Sequence, residues 1–124
     1  MELYDEVGGE PVFRQLVDRF YQGVALDPIL RPLYPDQDLA AARDRLTLFL
    51  MQYWGGPTTY SEQRGHPRLR MRHAEWVIGE RERNAWLQHM HAAILAIDVP
   101  EEAREKIWNH VENAAQSLVN APPV

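Results

Sequence analysis

Apolar residues recur along this chain at spacings of three and four positions, and prolines and glycines cut the pattern into separate stretches. In the first stretch the apolar positions are Phe13, Leu16, Val17, Phe20, Tyr21 and Val24. This spacing places the side chains on one face of an amphipathic helix. Pro11 fits the start of that helix, since the first turn tolerates proline. No segment alternates apolar and polar residues in the manner of a strand, so the sequence predicts an all-α fold.

The same period predicts three further helices. From Leu39 it continues through Ala42, Leu46, Phe49, Leu50 and Tyr53. "WGGP" at 54–57 ends that helix, because glycine suits a left-handed cap and proline cannot continue a helix. The next helix runs to about residue 97, with one side formed by Trp86, Leu87, Met90, Ala93, Ile94 and Ile97. Pro100 and two glutamates open the last one, whose apolar face is Ile107, Val111, Ala114, Ala115, Leu118 and Val119.

The two predicted helix pairs are separated by an irregular middle. "DPILRPLYPDQD" at 27–38 holds three prolines, which forbid a long helix and favour a compact connection. Residues 57–67 show no periodicity and predict a loop, followed by a short helical segment over 69–76. A loop of that length usually has a function.

Length and composition limit the class of protein. A chain of 124 residues, 45% of them hydrophobic and 25% charged, predicts a single globular domain spanning 1–124. The net charge of −5 argues against a general nucleic-acid-binding protein. The absence of cysteine excludes disulfides, zinc–thiolate sites, iron–sulfur clusters and thiol catalysis. With no signal peptide at the start and no apolar run of about 20 residues, we expect a cytoplasmic protein without a transmembrane segment.

A local basic cluster stands out in this acidic chain. "RGHPRLRMRHAEW" at 64–76 contains four arginines and two histidines and indicates a bound anion. No two of the five histidines are four residues apart, so two imidazoles on one helix turn cannot share a metal, and the Glu-x-x-His pattern of di-iron bundles is absent. A single histidine can still hold a metal that brings its own ligands, as haem iron does, and arginine suits the haem propionates.

Other interpretations of these residues stay open at this point. Each histidine could be a solvated or capping residue, the arginines could form a solvated helix face, and Tyr21, Tyr34 and Trp86 could simply be core residues. Composition does not exclude Ser–His–Asp hydrolysis, although the sequence shows no nucleophile elbow and no glycine-rich phosphate loop.

Motifs along nearly the whole chain resemble those of the truncated haemoglobins, in particular group II and its actinobacterial haemoglobin-O-like branch. They are "YDEVGGE" at 4–10, "RFY" at 19–21, "LYPDQDL" at 33–39, "LFLMQYWGGPTTYSEQRGHPRLRMRHA" at 48–74, "AWLQHMH" at 85–91 and "SLVN" at 117–120. The resemblance implies a truncated globin fold, a two-over-two helical sandwich that encloses haem b.

The resemblance also implies a set of site residues. His73, from "RMRHA", would be the ligand to the iron, and Tyr21, Tyr34 and Trp86 would form the distal, ligand-stabilising side. Ala42 would occupy the position where many globins have histidine, with Leu46 one turn later and Phe49 beyond it on the same apolar face. The propionate partners would be Arg45 and Arg72, with His66 and Arg68 as further candidates.

The function implied is reversible binding of dioxygen and of other diatomic ligands, including nitric oxide and carbon monoxide. Two hydroxyls and one indole N–H would stabilise the partial negative charge on dioxygen, so we expect high affinity and slow release. The alternative is a haem enzyme that oxidises nitric oxide or reduces peroxide at the same site with an external reductase, and a haem-free interaction module is a third class. His89, His91 and His110 are expected to lie outside the site, and the formation of a homo-oligomer stays open.

Overall fold

The structure, a computed structural model, describes residues 2–34, 39–65 and 78–119. Its helices are α1 (Leu3–Glu6), α2 (Glu10–Leu26), α3 (Ala40–Tyr53), α4 (Thr59–Arg64), α5 (Glu80–Ala96) and α6 (Glu101–Ser117), with a short 3₁₀ turn at Arg31–Leu33. These ranges contain helices and turns and no strand. The all-α prediction is therefore confirmed.

Local residue chemistry sets the helix boundaries. Gly9 precedes α2 with a φ of 75°, a left-handed conformation that glycine adopts without strain, and Pro11 occupies the first turn. Helix α5 begins with a capping interaction in which the Gly79 N–H donates to Glu82 Oε1 over 2.9 Å. After α3, a Cβ on Gly56 would lie 2.7 Å from the Tyr4 ring, so the "WGGP" turn needs glycine to pack against the N-terminal segment.

The helices pack as two crossing pairs around one core. Helix α2 packs against α3 and α5, and α5 packs against α6. The six apolar residues predicted for α2 are all buried, and Phe20 is fully so. In α5 and α6 the predicted faces supply Met90, Ile94, Ile107 and Val111, each no more than 2% exposed. These faces form the core that positions the site.

The structure differs from the sequence-based expectation in two places. Tyr53, expected on the inward face of α3, is 57% exposed, whereas Leu50 and Met51 in the same last turn are buried. Residues 57–67, expected to be a loop, include the six-residue helix α4. The predicted helical segment over 69–76 lies outside the described residues.

Candidate functional site

A cavity of about 300 Å³ opens between the two helix pairs, large enough to be a cofactor site. Every helix from α2 to α6 contributes to its wall, as does the turn after α2. The lining residues that matter most for its chemistry are Tyr21, Leu30, Tyr34, Ala42, Arg45, Leu46, Phe49, Tyr60, Trp86 and His110. Most of the wall is apolar, so the few polar groups would orient whatever the cavity holds.

Tyr21 and Tyr34 form the polar side of this wall. Their ring centroids lie 5.6 Å apart with the planes at 80°, and their hydroxyls are joined by a hydrogen bond. Burial raises the pKa of both phenols above the ordinary value, and the positive charge of Arg45 only partly opposes this effect. Both hydroxyls therefore keep their protons at neutral pH and are able to donate hydrogen bonds.

Trp86 lies on the same cavity from helix α5. Its ring packs edge-on against Phe20, with centroids 5.1 Å apart, and Phe20 in turn packs against Tyr21 at 4.9 Å. The three aromatic residues expected on the distal side thus line one cavity. Phe20 is fully buried and contacts both Tyr21 and Trp86.

Helix α3 forms the next section of wall. Ala42 is buried, and Leu46 and Phe49 follow on the same face, where Phe49 packs against Tyr60 with centroids 5.5 Å apart. Arg45 is exposed at the rim of the cavity. This places a guanidinium where it could hold an acidic group that points to solvent.

His110 also lines the cavity, so the expectation that it lies outside the site is wrong. Its imidazole stacks on Tyr53, with centroids 3.5 Å apart and planes at 10°, and meets Trp54 edge-on. Burial lowers the pKa of His110 to about 4, which keeps the ring uncharged at neutral pH. A sequence signal existed: His110 lies four residues before Ala114, on the predicted apolar face of α6.

The other two described histidines do not line the cavity. His89 pairs with Asp27, and the His91 ring contacts Trp108 with centroids 4.9 Å apart. Their expected exclusion from the site agrees with these positions. Glu82 and Arg83, at the start of α5, line the cavity and were not anticipated from the sequence.

The expected iron ligand His73 lies outside the described residues, as do Arg72, His66 and Arg68. Within the described ranges no group of three histidine or carboxylate side chains could hold a bare metal ion. An apolar cavity with neutral hydrogen-bond donors on one side and a guanidinium at the rim nevertheless fits haem, because haem brings four nitrogen ligands and two propionates. Among the described residues, Leu46, Phe49 and Ala42 would contact the macrocycle, and Arg45 would reach a propionate.

The fold and this cavity define a helical protein with a site that fits haem. Residues 2–120 match the family model for the bacterial-like globins. The group 2 truncated haemoglobin YjbI of Bacillus subtilis is 40% identical over 115 residues, covering 93% of this chain and 86% of that protein.

Solved structures show the same relationship. The thermostable haemoglobin of the actinobacterium Thermobifida fusca is 54% identical, with a TM-score of 0.97 over 99% of this chain and 100% of that one. The truncated oxygen-avid haemoglobin of Bacillus subtilis is 38% identical, with a TM-score of 0.91 over 97% and 100%.

The chain belongs to the bacterial-like globin family, and its fold is the two-over-two sandwich of the truncated haemoglobins. It is accordingly a haem b globin that binds dioxygen and other diatomic ligands. No helix in the described part of the chain is long and apolar enough to cross a membrane.

Proposed function

We propose that this globin binds dioxygen with high affinity and releases it slowly, through donors supplied by Tyr21, Tyr34 and Trp86. Haem, when bound, supplies an iron with an open coordination position for the ligand. The observation that carries the proposal is the hydrogen-bonded pair of protonated tyrosine hydroxyls in the wall of the cavity. Trp86 adds a donor from the neighbouring helix.

Physical chemistry connects this wall to slow release. Haem iron would place partial negative charge on dioxygen, and a preorganised donor in the apolar cavity would stabilise that charge. When the ligand leaves, a buried donor loses its partner at a cost of roughly 1–3 kcal/mol. The solved relative described as oxygen-avid, at 38% identity, supports the same behaviour here.

The remaining haem contacts belong to the proposal as well. His73 would hold the iron, Arg45 and Arg72 would bind the propionates, and His66 and Arg68 are further candidates for that contact. Arg45 is the described member of the group, and its position at the cavity rim supports the assignment.

Visible spectroscopy tests the proposal directly. The purified protein is examined in the ferric state, after reduction with dithionite and after exposure to oxygen, and the dissociation rate of dioxygen is then measured by displacement with carbon monoxide. A Soret band, a stable oxygenated spectrum and slow displacement are expected. A protein that takes up haemin but releases dioxygen rapidly would contradict the proposed role of the distal donors.

Chemistry at the same site is a second candidate function. The positive charge of Arg45 acts on both tyrosines, and this electrostatic environment would also favour negative charge on peroxide or on oxygen that reacts with nitric oxide. Such turnover would need electrons from an external reductase. Consumption of nitric oxide or peroxide over many cycles with a reductant separates this function from binding alone. Slow release of dioxygen suits storage, sensing or chemistry better than oxygen transport. A cytoplasmic location stays a prediction.

A further inference from the structure

Asp27 and His89 form a polar contact between two elements that carry parts of the distal wall. The Asp27 Oδ2 and His89 Nε2 atoms are 2.6 Å apart, although the residues are separated by 62 positions in the chain. The Asp27 side chain is only 12% exposed and the His89 side chain 24%. The contact is short, and most of the surface of both side chains is shielded from solvent.

Asp27 also organises the turn that follows helix α2. Its other carboxylate oxygen accepts hydrogen bonds from the N–H groups of Ile29, at 2.7 Å, and Leu30, at 3.3 Å. Its carbonyl oxygen accepts the Arg31 N–H at 2.9 Å. The hydrogen bond with His89, followed by those with the backbone, lowers the pKa of Asp27, so the carboxylate stays ionised.

This turn leads directly into the cavity wall. Leu30 is 1% exposed and lines the cavity, and Leu33 and Tyr34 line it a few residues later. On the other side of the contact, His89 lies three residues after Trp86, about one helical turn along α5. The Asp27–His89 contact therefore joins the segment that carries Tyr34 to the helix that carries Trp86.

Gly23 allows the histidine to reach this position. A Cβ at residue 23 would lie 2.3 Å from His89 Nδ1, closer than any side chain could tolerate. The imidazole thus packs directly on the α2 backbone one turn before Asp27. The Nδ1 side of the ring packs against Gly23, and Nε2 contacts the Asp27 carboxylate. These two contacts restrict the orientation of the imidazole.

We propose that Asp27 and His89 are a positioning pair that fixes the distance between Tyr34 and Trp86 and thereby sets the rate at which bound ligand leaves. Neither residue lines the cavity. The pair therefore acts on the ligand indirectly, by holding Tyr34 and Trp86 in position. This inference rests on the proposed function, in which Tyr34 and Trp86 stabilise the ligand. It adds two residues, outside the cavity, that determine the ligand kinetics.

A double-mutant cycle on the haem-loaded protein tests the pair, with Asp27→Ala, His89→Leu and the double variant. The readouts are the dioxygen dissociation rate, the C–O stretching frequency of the carbon monoxide complex and the free energy of unfolding. Each single variant is expected to speed dissociation by at least about threefold and to shift the stretching band. The double variant should dissociate only slightly faster than the faster single variant, as expected for residues that act together. Should Asp27→Ala fail to fold, Asp27→Ser replaces it, because its hydroxyl can still accept a turn N–H and is too short to reach His89.

Two further variants separate positioning from general destabilisation. His89→Gln keeps an N–H donor for Asp27, so its dissociation rate and stretching band should return to near wild type. His91 lies two residues further along the same helix and contacts Trp108. His91→Leu should therefore leave both readouts unchanged. A His89→Gln variant that behaves like His89→Leu, or single effects that multiply in the double variant, would overturn the proposal.

Tyr21→Phe and Trp86→Phe, measured in the same series, distinguish failure of the pair from failure of the proposed function. If these two variants speed dissociation but the Asp27 and His89 variants do not, the positioning role alone is wrong. If the distal variants have no effect while the pair still shows coupled changes in the stretching band, the pair positions the wall but the proposed donors are wrong. If no variant has an effect, both are wrong.

Discussion

The hydroxyls of Tyr21 and Tyr34 share one hydrogen bond at the cavity wall, with their rings nearly perpendicular at 80°. Because the two hydroxyls are hydrogen-bonded to each other, removal of either one changes the position and the donor strength of the other. The effects of the two tyrosines on a ligand in the cavity are therefore coupled.

Removal of one hydroxyl should speed the release of dioxygen. We expect Tyr21→Phe to raise the dissociation rate about tenfold, since the loss of a hydrogen bond to a charged group is worth roughly 1.5 kcal/mol. Tyr34→Phe should also raise it, and the double variant should fall well short of the product of the two effects because the two hydroxyls are hydrogen-bonded to each other. Stopped-flow displacement by carbon monoxide measures all three. Tyr4→Phe is the matched control, because Tyr4 stacks on Phe13 and does not line the cavity.

Local sequence patterns were enough to predict the helices and much of the wall. Tyr21, Ala42 and Leu46 lie on periodic apolar faces, and faces of that kind usually turn towards the core. Tyr53 was assigned to such a face and is nevertheless exposed, although Leu50 and Met51 in the same turn are buried. Periodicity gives the direction of a side chain and does not give the partner it meets.

The features that sequence missed depend on contacts between distant parts of the chain. His110 lines the cavity and stacks on Tyr53 of α3, and the pattern of its own helix does not indicate that contact. The Asp27–His89 contact spans 62 positions and needs the bare backbone of Gly23 to form. The family resemblance pointed to Tyr21, Tyr34 and Trp86, which line one cavity, and carried no information on these contacts.

Neutralisation of Arg45 should weaken the retention of haem. An exposed arginine–carboxylate contact contributes roughly 0.2–1 kcal/mol, so Arg45→Gln is expected to speed haem loss up to about fivefold. The measurement is transfer of haem to an excess of a haem-scavenging apoglobin. Arg43→Gln is the control on the same helix, since Arg43 faces Asp18 at 3.8 Å and does not line the cavity. Equal haem loss in both variants would rule out the propionate contact of Arg45.

Replacement of the proposed iron ligand should remove the haem or change its spectrum completely. His73→Ala is expected to purify largely without haem, because no other bond holds the iron to the protein in this proposal. Added imidazole should restore a Soret band, since it can occupy the vacated position. His91→Ala serves as the control. An ordinary five-coordinate ferrous spectrum in His73→Ala without imidazole would refute the assignment.

A methyl group on Gly23 should destabilise the protein, although alanine is the better helix former. The added Cβ would meet His89 Nδ1 at 2.3 Å, and overpacking of this kind typically costs about 1–3 kcal/mol. Urea unfolding of Gly23→Ala measures the loss. In a His89→Ala background the same substitution should be neutral or stabilising, because the clash is gone and helix propensity then decides. Equal destabilisation in both backgrounds would mean that the close contact with His89 is not the cause.

Protonation of His110 should contribute to acid unfolding. Its pKa is lowered from 6.5 in an unfolded chain to about 4 by burial, so the unfolded state binds the proton more tightly. The stability that His110 provides is therefore complete above about pH 6.5 and is lost as the pH falls towards 4. Because the ring is only partly buried, we expect a loss of about 1–2 kcal/mol over this window. The free energy of unfolding of wild type and His110→Phe, measured by urea at steps between pH 7 and 4, should fall less steeply in the variant, which cannot take up that proton. The carboxylates titrate in both proteins and cancel in the comparison, so parallel curves would show that His110 is not protonated on unfolding in this range.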